Sequence, residues 1–191
     1  DTRRDRSVTF ATVADAVSVA KAKGKPGSPV VIADYADNPG GGGYSDSVGL
    51  LRGMIEADLQ NAALATIVDP AAVEACAKAG IGAEITISVG GKTDSIFGPP
   101  LPVSGRVTAL ADGRFTITGP MMTGMKIDLG PTAALRVGGV DIVLATRRFQ
   151  NYDLGFFRIV GIEPKDRAVL AVKSMQHFRG AYAPIASEIV V

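Results

Sequence analysis

The sequence predicts an α/β fold built on a mixed sheet, and three observations carry that prediction. Residues 30–89 alternate short apolar runs with helical patterns, a β-α-β-α-β order that implies parallel strands with right-handed crossovers. Residues 103–145 hold extended apolar stretches around Asp112-Gly113 and Gly138-Gly139, dipeptides that suit antiparallel hairpins. Residues 168–191 close the chain as strand, helix or irregular connection, and strand.

Each element has a local reason. Val13, Ala16, Val17 and Ala20 recur at helical spacing, with Ser7 or Thr9 as N-cap and Gly24 as the stop. Lys25-Pro26-Gly27-Ser28-Pro29 breaks the chain. Val30-Val31-Ile32-Ala33 is an unbroken apolar run, the mark of a strand covered on both faces. After Asp34 to Pro39 and Gly40 to Gly43 comes a helix with Ser45 or Asp46 as its cap and Val48, Leu51, Met54, Ile55 and Leu59 as its apolar stripe. Ala63 to Val68 is the second strand; Asp69 caps the next helix, Pro70 takes its first position and Gly80 ends it. Ile85 to Val89 is the third strand of the parallel portion. The hairpins pair Val103–Leu110 with Arg114–Thr118, and Ala133–Val137 with Val140–Ala145. Asp153 caps a short helix through Phe156, Phe157 and Val160. Ala168 to Val172 is a strand, Phe178 to Ile185 the helix or irregular connection, and the last strand runs from Ile189.

Composition excludes several classes. Twenty Lys and Arg against 19 Asp and Glu leave a formal charge of +1, too little to favour nucleic acid or an anionic membrane as partner. No apolar run approaches the roughly 20 residues that span a bilayer, and the charged start Asp1 to Arg6 lacks a signal-peptide pattern. A single cysteine, Cys76, rules out an internal disulfide and points to the cytoplasm. A single histidine, His177, precludes a zinc site assembled from several His and Cys. The chain opens on Asp1 rather than Met and stops in Glu188-Ile189-Val190-Val191, which reads as a piece of a longer protein.

Several motifs bear on chemistry. Four glycines between a buried strand and a helix allow backbone N–H groups to turn toward a bound phosphate or carboxylate. The dinucleotide register fails, because the sixth position falls on Ser45 or Asp46; the plainer reading is a loop that tolerates positive φ. Gly91-Lys92-Thr93 is not a phosphate loop, since Thr86 stands where its first glycine belongs. Asp34, Asp37, Asp46 and Asp69 lie at the carboxyl ends of expected strands, where α/β sheets bind ligands and an oxygen-ligated divalent ion is conceivable. Lys173 to Arg179 places Lys, His and Arg at another such end. Arg147 and Arg148 read as a solvated strand end, Met121, Met122 and Met125 as a loop over the core, and Cys76 as inert packing.

Asp34-Tyr35-Ala36-Asp37-Asn38-Pro39-Gly40-Gly41-Gly42 resembles the signature of the carboxyl-terminal domain of microcystinase-C-type (MlrC) metallopeptidases. Gly90 to Asp94 with Gly98-Pro99-Pro100, Asp128 to Ala133, and Lys173-Ser174 through His177-Phe178-Arg179 look like further blocks of that family, in order along nearly the whole chain. Tyr35 and Thr93 depart from the residues common there. The resemblance implies a parent metallopeptidase whose preceding domain holds zinc on Asp and His ligands and hydrolyses peptide or amide bonds; the namesake acts on linearised microcystin. None of those ligands carries over to this chain, which is expected to hold no metal or cofactor and to be inactive alone. Residues 1–24 are then a helix or linker from the preceding domain and 25–191 the MlrC-type domain. The expected partners are that N-terminal catalytic domain and a peptide or amide substrate, with a homo-oligomer left open. The expected substrate-binding set is Asp37, Asn38, Gly40, Gly41, Gly42, Gly43, Ser45, Lys173, His177 and Arg179, with His177 and Arg179 the catalytic candidates. Two other readings are a stand-alone anion- or nucleotide-binding module using Gly40 to Gly43, with Asp69 near a ribose, and a structural or oligomerisation domain.

Overall fold

A computed structural model describes residues 10–191. Helix α1 (Val13–Lys23) opens it, capped by Thr12, whose side chain accepts from the Asp15 amide while Asp15 bonds back. The expected caps Ser7 and Thr9 lie outside the described residues. The chain continues through β1 (Val30–Ala33), α2 (Gly49–Glu56), β2 (Ala62–Val68), α3 (Pro70–Ala79) and β3 (Glu84–Val89). Then follow β4 (Leu101–Ala111), β5 (Arg114–Thr116), β6 (Lys126–Asp128), β7 (Thr132–Val137) and β8 (Val140–Ala145). The last elements are α4 (Gly155–Arg158), β9 (Val169–Val172), α5 (Arg179–Tyr182) and β10 (Glu188–Val190).

Eight strands form one mixed sheet in the order β10-β1-β9-β2-β8-β7-β4-β3, and β5 pairs with β6 in a small antiparallel sheet. The first five are mutually parallel; β7, β4 and β3 continue antiparallel. The mixed α/β class is as the sequence predicts, and β7-Gly138-Gly139-β8 is the expected hairpin. Two pairings differ. β3 is not a third parallel strand: β9 and β8 occupy both sides of β2, so β3 goes to the far edge and pairs antiparallel with β4. Asp112-Gly113 does not join a β4–β5 ladder either, because β4 is held by β3 and β7 while β5 turns to β6.

Alternation along the central strands divides the core in two. Val30, Ile32 and Leu64 face the layer of α1, α2 and α3, with Val17, Leu51, Met54, Val73 and Cys76. Val31, Ala33, Ala63 and Ala65 face the opposite layer, with Phe156, Phe157, Phe178 and Tyr182. Met121 and Met125 pack against that second cluster, as a loop over the core should. Helices on both faces are what a parallel sheet needs to stay dry, and they leave only the strand ends free to carry loops with chemistry.

Candidate functional site at the carboxyl edge of the sheet

Four neighbouring parallel strands end on this edge. β1 runs into Asp34, β9 into Lys173, β2 into Asp69 and β8 into Thr146. Lys173 lies at the centre. Its Nζ stands 2.8 Å from Asp34 Oδ2, 3.0 Å from Asp37 Oδ2, 3.0 Å from the Ser47 carbonyl and 2.9 Å from Ser47 Oγ. The side chain is 1% exposed. Three N–H donors among four oxygens leave none for a ligand. Burial draws the ammonium toward its neutral form, but the carboxylates of Asp34 and Asp37 outweigh it and hold Lys173 above its ordinary value. Burial likewise raises the Asp37 carboxyl, yet Lys173 and the Ser47 and Ser45 amides keep it below its own.

Asp37 closes the 37–47 loop on itself. Its Oδ1 accepts from the Ser45 amide and its Oδ2 from the Ser47 amide, both at 2.8 Å. Ser45 does not cap α2. It sits buried at φ +64° and donates its hydroxyl to the Thr66 carbonyl at 2.9 Å. Asp46 is no cap either: Oδ2 accepts from the Lys92 and Thr93 amides, and Asp69 takes the Gly90 amide and the Lys92 ammonium. Helix α2 therefore starts after Val48 with no side-chain cap, and Leu59 lies beyond its end. Asp69 does cap α3, accepting from the Ala72 amide at 3.0 Å.

The glycine loop is built differently from an anion cradle. Asn38 Oδ1 accepts from the Gly40 amide at 3.0 Å, and its carbonyl accepts from Gly41 and Gly43. The Gly42 amide donates to the Pro39 carbonyl at 3.2 Å. All four glycine N–H groups are therefore used within the loop, which leaves a nucleotide module without its phosphate donors. Gly42 needs its left-handed φ of +96°, and a Cβ on Gly43 would come within 2.6 Å of the Asp37 backbone.

Ten sequence-derived site residues thus separate into two groups. Asp37, Ser45 and Lys173 are interior, at 0%, 0% and 1% exposure, and support the loop from below. Asn38, Gly40 to Gly43, His177 and Arg179 reach the surface. His177 comes to the glycine loop through Gln150, whose Oε1 lies 3.2 Å from His177 Nδ1 and abuts Gly40. Arg179 turns to its own segment, donating to Gln176 Oε1 at 3.0 Å with its guanidinium 5.5 Å from the Phe178 ring centroid.

Sequence reasoning missed the loop after β8. Arg148 donates to the Gly43 carbonyl at 3.1 Å, so it belongs to the edge and is not merely a solvated strand end. Asn151 is fully buried, and its Oδ1 accepts from the Thr66 and Lys173 amides, tying β2 to β9. Only the polar run Thr146 to Asn151, interrupted by Phe149 alone, marks that loop in the sequence. A zinc centre does not fit here. Among the described residues no three His, Cys, Asp or Glu side chains converge on a possible ion, and the Asp34–Asp37 pair is already bridged by Lys173.

Fold and edge define an α/β domain whose surface loops gather where a parallel sheet meets ligands, on a frame held by one buried ammonium. The family model described as the MlrC C-terminus matches residues 32–191, and the chain belongs to that family. It is 34% identical over 175 residues to Microcystinase C of Sphingomonas sp., a match covering 92% of this chain and 34% of that protein. A crystal structure from Mesorhizobium sp. BNC1, of a protein assigned as a metallopeptidase, matches with a TM-score of 0.87 at 26% identity, over 99% of this chain and 38% of that one. The chain spans about a third of the length of either relative. No helix among the described residues is long and apolar enough to cross a membrane.

Proposed function

We propose that this chain is the C-terminal domain of a metal-dependent peptidase or amidohydrolase and shapes one wall of its substrate cleft. In this reading zinc and its ligands belong to an N-terminal domain, and this chain alone is inactive. Residues 25–191 form the domain and residues 1–24 lead in from the preceding one, with α1 docked on the core through Ala16, Val17 and Ala20. The substrate is a peptide or other amide and the setting cytoplasmic.

One observation carries the proposal: exposed Gly40, Gly41, Gly42 and His177 and half-buried Asn38, Gly43 and Gln150 lie together over the Lys173–Asp34–Asp37 cluster, whose Lys173 and Asp37 are buried, at the sheet edge where α/β folds bind ligands. The cluster makes a rigid floor, and the side chains above it can accept from or donate to an amide. His177 and Arg179 then orient substrate or stabilise developing charge, while Lys173, Asp37 and Ser45 act from beneath without touching it.

The test is kinetic. In the longer protein that carries this domain, His177→Ala and Arg179→Ala should each lower kcat/KM more than tenfold with thermal stability unchanged. Unaltered kinetics for both would remove this edge from the site.

A further inference from the structure

The only imidazole of the chain is placed by a side chain that is itself placed by a glycine. Gln150 lies between Gly40 and His177. Its Nε2 donates to Ser174 Oγ at 3.1 Å, and Ser174 is fully buried just after β9, so the amide has a fixed anchor. Its Oε1 faces two groups at once, the Gly40 Cα and His177 Nδ1, the latter at 3.2 Å. A Cβ on Gly40 would collide with Gln150, the carboxamide oxygen being the nearest atom.

This packing decides which end of the carboxamide points where. An oxygen against Gly40 Cα–H makes a weak C–H···O contact, whereas an NH2 group there would press hydrogen on hydrogen. Oxygen on that side leaves the NH2 for Ser174. It also presents a pure acceptor to His177, since a carboxamide oxygen cannot donate. Two acceptors facing each other repel, so the ring must bring a proton to Nδ1.

We infer that Gly40, Gln150 and Ser174 form a clamp that holds neutral His177 as its Nδ1–H tautomer and turns an unprotonated Nε2 outward as a hydrogen-bond acceptor. Gln150 is a positioning residue, acting through His177. The outward group accepts from a substrate N–H or from a water, and it does not donate to a carbonyl. This rests on the proposed function for its purpose, because an amide N–H is the donor a peptide-like substrate offers. It also gives Gly40 a task unrelated to anion binding: an empty Cβ position is the slot for Gln150.

The chain's single histidine makes the test direct. Long-range proton–nitrogen NMR on this 191-residue chain, at a pH where the ring is neutral, reads one imidazole with nothing to assign. The expected result is Nδ1–H as the dominant form. Gln150→Leu should shift it to a mixture dominated by Nε2–H, as in free histidine, and Gly40→Ala should do the same by displacing Gln150. Gln150→Glu keeps an acceptor at the same place and should restore Nδ1–H. Dominant Nε2–H in the unsubstituted chain overturns the clamp outright, with no variant needed. So does an unchanged tautomer in a Gln150→Leu protein whose amide spectrum remains dispersed. None of these spectra depends on turnover, so the clamp can fail while the proposed function stands. Conversely, full activity of both His177→Ala and Arg179→Ala in the longer protein would remove this edge from the site and leave the tautomer of the unsubstituted chain as the spectra show it.

Discussion

Replacing Lys173 with Met removes the charge but nearly keeps the volume, so the outcome isolates the ion cluster. The ammonium serves Asp34 Oδ2, Asp37 Oδ2 and both Ser47 oxygens. Its loss leaves Asp37, wholly buried, as an uncompensated charge. Removing one partner of a buried pair costs about 3–5 kcal/mol. Asp37 retains two amide hydrogen bonds, and the Asp34 side chain is 12% exposed, so the lower end applies. With a urea slope of about 2–3 kcal/mol/M, a loss of about 3 kcal/mol moves the unfolding midpoint by roughly 1 M. The pH dependence is equally specific. Lys173 is held above its ordinary value of 10.5, so its contribution is complete below that pH and fades as pH rises through the folded-state value. Asp37 is held below 3.8, so its contribution is complete above that pH and fades as pH falls through its lower folded value. Between those limits the parent pair is flat with pH. In Lys173→Met the burial that pushes the Asp37 carboxyl up is no longer opposed by an ammonium. Acidifying toward its ordinary range should therefore neutralise it and shrink the penalty. Urea titrations of both proteins from pH 7 down to about pH 4.5 measure this. A loss under about 1 kcal/mol, or a penalty constant across that range, refutes the cluster as the frame of the edge.

Two other residues give independent checks. Burial, with Asp69 adding its charge, pushes the Cys76 thiol up to about 11, so a thiol reagent at pH 8 should leave the folded chain unlabelled and take up one equivalent after denaturation. Labelling of the native protein within minutes would contradict the packing of α3 against the sheet. Asp153 is buried and accepts from the Gly119 and Gly155 amides, both at 2.7 Å. Asp153→Ala should cost about 2–3 kcal/mol by leaving both donors unmatched, seen as a drop in melting temperature; an unchanged melt would count against that pairing.

What the sequence made legible was local. Val30 to Ala33, Asp69-Pro70 and Gly138-Gly139 each carry their own physical cause within a few residues, and each forms the expected element. Pairing is not local, and there the reading departed from the structure. Yet a sign of the β3 placement was present. Glu84, Thr86 and Ser88 alternate with Ile85, Ile87 and Val89, the pattern of a half-exposed strand rather than of one sandwiched between helices. Asp112-Gly113 misled for the opposite reason: a glycine at φ +79° is sound turn chemistry, but turn chemistry does not choose the partner strand. Lys173 is expected among the substrate-binding residues, yet it is interior, which is rare for a lysine. Its burial became knowable only when β1 and β9 proved to be neighbours, which sets Asp34 and Asp37 beside it.

The glycine run is where sequence and structure differ most usefully. Four consecutive glycines carry an entropic cost, and the usual compensation is a backbone that wraps a ligand. Here the compensation is steric. Gly40 leaves a slot for Gln150, Gly43 lets the loop close on the Asp37 backbone, and Gly42 supplies the left-handed turn between them. The amides that would have held an anion hold the loop itself. In the proposed function, recognition at this edge would then come from side chains beside the glycines: Arg148 against the Gly43 carbonyl, and His177 across Gln150. That division explains why the loop rests on a buried salt cluster. A surface that works through the exact reach of two or three side chains tolerates little movement beneath them, and three strand ends joined through Lys173 and Asn151 restrict that movement.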